Sequence, residues 1–526
     1  MYIEPNTNII LLKNAPITNN YKDTLWFDNK SDQEKYFKSL TAFDLKNYTY
    51  QRVNLGVTRV GINAEKLYNC NYMMFQNTSF GNKWFYAFIT KVEYVNNGMS
   101  HVHFEIDVMQ TWLFDYTLEE CFVEREHSKT DNIGDNIVAE SLGTDDYVVN
   151  KHNYKDFSDM QVYIYATGLP SEEEENGVTT PKLVGGQAGI SYGILNGMTI
   201  YQRVLNSDNL DEINRVIDSY IDKGLEDALI LIQQMPYFCG RPNQTEVPKE
   251  SFTFSMNSST LDGYKPKNNK LFTYPYNFLM VSNHSGSVDQ FQFEYFDDCL
   301  NNVFNFYGVP LSTPIIDCVP KNYRGVSEDF DSGVTLSNFP QCAWSGDAYK
   351  AWIAQNKGSI LASYDANAIN TGGSVLGKIF SGRIGQAINT GIQYGFNIEA
   401  TERMLEGQIQ DAKARPNNVH GKIQCDSLNV ALDKVGYSFY QMCVHKEHAE
   451  TIDNFFTMFG YATKKIKVPN RNVRKCFTYT KTVGCTIIGE LPSDDISKIC
   501  DLYNNGITFW KNPSLVGYYS ADNSPT

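Results

Sequence analysis

Four residues able to bind metal or move protons, His101, His103, Glu105 and Asp107, occupy every second position of the segment HVHFEID. Two histidines two apart on a strand can reach one cation when a third ligand converges on it. Neighbours on one strand face stand ~6.6 Å apart along the strand, so four in a row cannot all surround one ion. Charged rows usually face water. The row therefore reads as a solvated, lumenal or subunit-contacting face, and no metal site is assigned to it.

Other stretches that could carry chemistry are weaker. Residues 372–378, GGSVLGK, approach the phosphate-binding pattern G-x-x-x-x-G-K-[ST], but Ile379 stands where a magnesium-binding hydroxyl is needed, and no buried strand precedes it. Glu172, Glu173, Glu174 and Glu175, just before Asn176-Gly177, read as an exposed loop, because no positioned partner would make two of them an acid–base pair. The chain has no H-E-x-x-H or G-x-G-x-x-G, and only 8 histidines as candidate general bases. No catalytic, cofactor-binding or metal-binding residue is assigned, and no cofactor. The basic run Lys464, Lys465, Lys467, Arg471, Arg474 and Lys475 is the strongest positive patch. It reads as a solvated strand and turn paired with acidic neighbours, with contact to DNA or to a subunit's acidic rim as the sharper alternative.

The elements that position these residues follow from periodicity. Residues 84–94 are large, aromatic or β-branched, and residues 102–108 alternate apolar with polar, the pattern of half-buried strands. Asn96-Asn97-Gly98 between them tolerates the positive φ of a tight turn, which predicts an antiparallel hairpin with Val102, Phe104, Ile106 and Val108 on the core face. A second hairpin is expected from residues 272–282, the turn NHSGS, and residues 288–296. The repeat of this layout suggests two related β-units, and two unrelated hairpins would look the same. A short helix is expected near residues 31–40, helices at 210–221 and 399–414, and an apolar helix face that ends with Phe455, Phe456, Phe459 and Tyr461; strands are expected at 121–126 and 506–510. Residues 128–150 are polar, with Gly and Asp, and carry no EF-hand spacing; they read as a crossing into a new domain. Composition then changes, and residues 151–268 read as an inserted, surface-facing domain.

At 526 residues the chain can hold two to four domains. Its 45 basic and 60 acidic residues give a net charge of −15, which argues against gripping nucleic acid by phosphate neutralisation and suits a surface past which DNA slides. Eleven scattered cysteines without C-x-x-C indicate neither a disulfide framework nor a zinc ribbon, so folding in a reducing cytoplasm is expected. The first residues form no signal peptide.

Several stretches together resemble one family, the tail-knob (distal tail tube) proteins of phi29-like short-tailed phages. They are residues 23–27 (DTLWF), residues 68–114 with MFQN, GNKWFYAF and VHFEIDVMQTW, residues 273–276 (TYPY), and residues 455–461, 467–477 and 505–510, in order along the chain. The resemblance implies a β-rich α+β fold with two tail-tube-like β-barrel units per chain, assembled as a hexameric tube. It implies tube parts at 1–150, 269–350 and 420–526, the inserted knob domain at 151–268, and an apolar lumen loop with a flanking helix at 351–419. Implied partners are five further copies, the adjacent lower-collar or nozzle protein, genomic DNA in the lumen and the host cell membrane. The implied location is the virion tail after synthesis in the host cytoplasm.

The resemblance also gives a role to residues 366–398, a stretch with seven glycines and only Lys378 and Arg383 charged. Val375, Leu376, Ile379, Phe380, Ile384, Ile388 and Ile392 recur at helical spacing, and Gly391 and Gly395 leave a flat face for close helix approach. Its 33 residues exceed the ~20 that one membrane crossing needs. The expectation is a loop that plugs the lumen and then lines a membrane pore. Two other classes stay open: a purely structural tail tube, and a cell-wall-degrading tail enzyme, which would need a carboxylate pair in a cleft.

Overall fold

The computed structural model describes residues 6–343 apart from short gaps, of which 49–55 and 240–246 are the longest, together with residues 423–424 and 435–526. The chain divides into two compact units, one built from Met1–Val148, Ser258–Asn277 and Cys443–Thr526, the other from Val149–Asn257 and Phe278–Met442. The second unit begins at Val149, breaks at Asn257 and resumes at Phe278, so it is discontinuous in sequence.

In the first unit six strands form an antiparallel sheet in the order Thr41–Tyr48, Thr7–Lys13, Cys70–Gln76, Phe85–Asn96, Met99–Ile106, Gly56–Val60. The near-continuous apolar runs IILL and YMMF place their strands in the middle of the order, where both faces are covered. Ile9 and Leu11 pack with Met73, Phe75, Val102 and Phe104 on one side. Ile10 and Leu12 pack with Tyr72, Met74, Tyr86 and Phe88 on the other. The predicted hairpin is present, with Asn96 opposite Met99 around Asn97-Gly98.

A second sheet orders Asp23–Leu25, Ile507–Trp510, Phe477–Val483, Cys121–Glu126 and Tyr461–Lys467. Its first pair is parallel, so residues from both ends of the chain meet in one core, where Leu25, Phe477, Ile507, Phe509 and Trp510 join the aromatic side of the first sheet. The helix Lys30–Ser39 is capped by Asn29, whose side chain accepts the Asp32 N–H at 2.9 Å, and it buries Phe37 in that core. The helix Lys446–Phe459 stops at Gly460, where φ is +64° and a Cβ would lie 2.2 Å from the Glu126 carbonyl oxygen, so only glycine fits.

The second unit holds a five-stranded sheet in the order Thr199–Val204, Met160–Ala166, Leu229–Pro236, Gln341–Ala343, Ile423–Gln424. The amphipathic helix Leu210–Ile221 covers it, burying Ile213 and Tyr220 against Val162, Ile164, Ala166 and Leu229. A second five-stranded sheet runs Lys249–Ser255, Asn301–Val309, Ile315–Tyr323, Val326–Glu328, with Val334–Leu336 beside Ile315–Tyr323. The second predicted hairpin is present in shortened form, Asn277–Ser282 against Val288–Phe291. Phe272 ends a 3-10 turn and Phe293 begins another, so neither lies on a strand. Pro275, which has no N–H to give a ladder, separates the first turn from the strand. Glu172–Glu175, expected in a loop, instead end the strand Leu169–Glu175, which pairs with Val178–Val184 as a two-stranded hairpin.

Candidate functional site

The charged row of the first hairpin is not one continuous face. His101, His103 and Glu105 lie half-buried opposite the buried Val102 and Phe104, as alternation requires. His103 Nε2 meets Glu93 on the neighbouring strand at 3.0 Å, and this contact, with Lys91 second, holds the Glu93 carboxyl below its usual range. Glu105 accepts from Lys498 at 2.5 Å. Each acid of the face thus has a cation from its own unit.

Asp107 departs from the row. The strand ends at Ile106, and Asp107 turns inward to cap the short helix Val108–Trp112, accepting the N–H groups of Met109 at 3.0 Å and Gln110 at 3.1 Å. Tyr72 donates its hydroxyl to the same carboxylate at 2.8 Å. Burial raises the Asp107 pKa to about 6 against these favourable hydrogen bonds. A signal for this existed in the sequence, since Asp107-x-x-Gln110 before apolar residues has the form of a capping box. Among the described residues, no three His, Cys, Asp or Glu side chains gather as a metal site.

The motif VMQTW that follows is a structural knot. Gln110 Nε2 donates to Thr24 Oγ1 at 2.9 Å and to the Leu25 carbonyl at 2.7 Å, while Gln33 Nε2 donates to the Gln110 carbonyl at 2.8 Å. Trp112 Nε1 reaches Asp495 at 2.9 Å, and the Tyr86 N–H donates to Thr111 Oγ1 at 3.1 Å. Three residues in sequence therefore tie the first sheet to the second and to the helix Ser493–Asn505.

The basic run also divides, which corrects its reading as a solvated strand and turn throughout. Lys464 and Lys465 are exposed on the strand Tyr461–Lys467. Lys467, at the strand's end, pairs with Glu126, whose side chain is 2 % exposed. Arg471 lies over the rings of Trp26 and Tyr116, 5.0 and 5.4 Å from their centroids. Arg474 is buried, and Lys475 reaches Asp522 at 3.8 Å. Three of the six, Lys467, Arg471 and Arg474, turn toward the interior, and Lys464, Lys465 and Lys475 stay at the surface.

The loop residues Val375, Leu376, Ile379, Phe380, Ile384, Ile388, Gly391, Ile392 and Gly395, the helix expected at 399–414 and the near P-loop all lie outside the described residues. No helix among the described residues is long and apolar enough to cross a membrane.

Comparison with known proteins decides the family. A model of the C-terminal domain of the tail knob protein gp9 of Bacillus phage phi29 matches residues 241–524, more than half of the chain. The chain belongs to that family. A model of the N-terminal part of caudoviral major tail proteins matches residues 5–117, which contain the six-stranded sheet. The tail knob proteins gp9 of Bacillus phages phi29 and PZA are each 26% identical to the chain, over 98% of it and 98% of their own length. The solved tail knob protein gp12 of bacteriophage C1 superimposes on 99% of this chain and 100% of its own, with a TM-score of 0.69 at 15% identity. That likeness bears on the fold alone. This member of the tail-knob family is a β-rich structural protein of the phage virion tail.

Proposed function

We propose that the chain forms a homohexameric distal tail tube of two barrel-like β-units per subunit, through which the genome leaves the virion. In this reading residues 366–398 plug the lumen, then enter the host membrane and line a pore for DNA. The observation that carries the reading is the family match along the chain together with this one Gly-rich apolar excursion. Its Asn, Gln, Lys378 and Arg383 would be costly in hydrocarbon as a lone span. Six copies in a ring can turn them toward water and the isoleucines toward lipid.

The charge balance supports a conduit, because a wall of lysines would hold DNA by counterion release, whereas an acidic chain lets it pass. The paired state of His103, Glu93, Glu105 and Lys498 suits a wall or contact face rather than a reactive centre. The chain works as structure without catalysis, joined in the tail to the adjacent lower-collar or nozzle protein, after synthesis in the host cytoplasm.

Electron microscopy of purified protein should show rings with a central hole, and those rings should release dye from liposomes. Deleting residues 370–395 should leave the rings and abolish release. Unchanged release after the deletion refutes the loop assignment, and absence of rings refutes the tube.

A further inference from the structure

A chain with net charge −15 contains a cavity of the opposite character. It lies within the first unit, has a volume of about 710 Å³, and is walled by His127, residues 129–132, 265–269 and 520–525, Thr457 and Arg474. Four cations line it, Lys129, Lys265, Lys267 and Arg474, against two acids, Asp131 and Asp522. The Asp131 carboxylate is already engaged, accepting the Tyr461 hydroxyl at 2.5 Å and the Asn269 N–H at 3.3 Å. Asp522 sits at the rim beside Lys475. Lys129, Lys265 and Lys267 are exposed, and their ammonium groups meet no acid among the described residues.

Arg474 is the decisive residue. It is 3 % exposed, and its Nε and Nη2, the two nitrogens along the side-on edge of the guanidinium, meet no acceptor among the described residues. Ser524, on the same cavity wall, holds a buried hydroxyl that also lacks a partner. Buried donors left unmet are destabilising until something accepts from them. The side-on edge of an arginine is matched in spacing to two oxygens of one carboxylate or phosphate.

The neighbouring histidine supplies neither charge nor proton. His127 Nδ1 accepts the Tyr479 N–H at 2.7 Å and Nε2 donates to the Thr457 carbonyl at 3.0 Å, so both nitrogens are committed. Burial, with Arg474 second, pushes its pKa down to about 3. The wall therefore offers fixed positive charge and hydrogen-bond donors without acid–base chemistry.

We propose that this cavity binds a compact oxyanion, a phosphate or a small molecule with clustered carboxylates, through the side-on edge of Arg474 and the surrounding Lys129, Lys265 and Lys267. A volume of this size falls in the range of small-ligand pockets, not of a groove that tracks a duplex.

Isothermal titration calorimetry of the full chain with inorganic phosphate and with citrate tests this, alongside thermal unfolding in the same ligands and in chloride of matched ionic strength. Saturable heat and a stabilisation beyond chloride are expected. The tighter of the two probes identifies whether the natural group is phosphate or carboxylate. Arg474→Gln should weaken binding about 10-fold or more, the loss of one charge-assisted pair. If that variant fails to fold, the triple Lys129→Ala, Lys265→Ala, Lys267→Ala variant alters only exposed side chains and should show the same direction. Heat and stabilisation no larger than chloride gives would mean that water satisfies Arg474, and would overturn the site. Duplex DNA that binds through the three lysines while phosphate and citrate do not would overturn it too.

Discussion

Two runs of charge in the first unit, one from His101 to Asp107 and the other from Lys464 to Lys475, look alike in sequence and part ways at the same structural event. Within their strands, Met99–Ile106 and Tyr461–Lys467, charged side chains stay at the surface and meet short-range partners or water. Beyond the strand ends, Asp107, Arg471 and Arg474 turn inward. The pleat sends alternate side chains to opposite faces only while it lasts. Where it stops, the backbone bends, and the next charged residue is free to become a cap or a counter-charge. The difference is one of charge: the first run ends by capping helix N–H groups with an anion, the second by placing cations against the buried Glu126 and the rings of Trp26 and Tyr116.

The largest effect in this comparison is expected at the last residue of the second strand. Lys467→Ala leaves Glu126 buried with only the Asn470 N–H and side-chain amide, each at 2.9 Å. Burial already raises the Glu126 pKa, and removing the cation should destabilise the fold by about 3 kcal/mol in urea unfolding. The double variant Lys467→Ala, Glu126→Gln should recover part of that loss. A single-variant loss below about 1 kcal/mol would show that Asn470 suffices, and that the run is less internal than its geometry says.

At the end of the first run, Asp107→Ala removes a cap and strands the Tyr72 hydroxyl, for a loss of about 2 to 3 kcal/mol. Asp107→Asn sharpens the point through pH. The folded pKa of about 6 is raised above the ordinary 3.8, so the stability Asp107 contributes is full below 3.8 and is lost as pH rises through 6. The stability of Asp107→Asn relative to the parent should therefore improve between pH 4 and pH 7, by up to about 3 kcal/mol. A difference independent of pH would mean that Asp107 titrates normally.

Next in size is Arg471→Lys, which keeps the charge but gives up the planar group over Trp26 and Tyr116. A loss of about 1 to 2 kcal/mol is expected from the lost ring contacts. Full stability in the variant would indicate that charge alone matters there.

Sequence reading reached the regular parts of this comparison because their signals are local. The Asn97-Gly98 hairpin, the Asn29-capped helix and the amphipathic helix Leu210–Ile221 each follow from spacing within a dozen residues. It failed where two local signals competed. Four glutamates suggested a solvated loop, yet Asn176-Gly177 directly after them is a two-residue hairpin signature, and the strands Leu169–Glu175 and Val178–Val184 flank it. Asp107 fitted the alternation and the capping box at once, and the cap prevailed because the helix needs its N–H groups met. The oxyanion cavity was not legible at all, since residues 127, 129–132, 265–269, 474 and 520–525 come together only in the folded unit. The loop expected at 366–398 lies outside the described residues, and composition and resemblance alone support it.

The smallest expected effects lie in the middle of each strand, and they test the rule from its other side. Lys464 and Lys465 sit on an edge strand with their charges in water, so Lys464→Ala with Lys465→Ala should move stability by no more than about 0.5 kcal/mol. His103→Ala removes a partner from Glu93 on an open face, and urea unfolding at pH 7 should not resolve it from the parent. The Glu93 carboxyl should nonetheless titrate nearer its ordinary range in that variant, because the contact that lowers it most is gone. Carbon-detected NMR titration of Glu93 reads this directly, while the unfolding midpoint stays put. A large loss of stability at either mid-strand site would place those side chains in contacts within the assembled tail, and would confine the strand-end rule to the isolated chain.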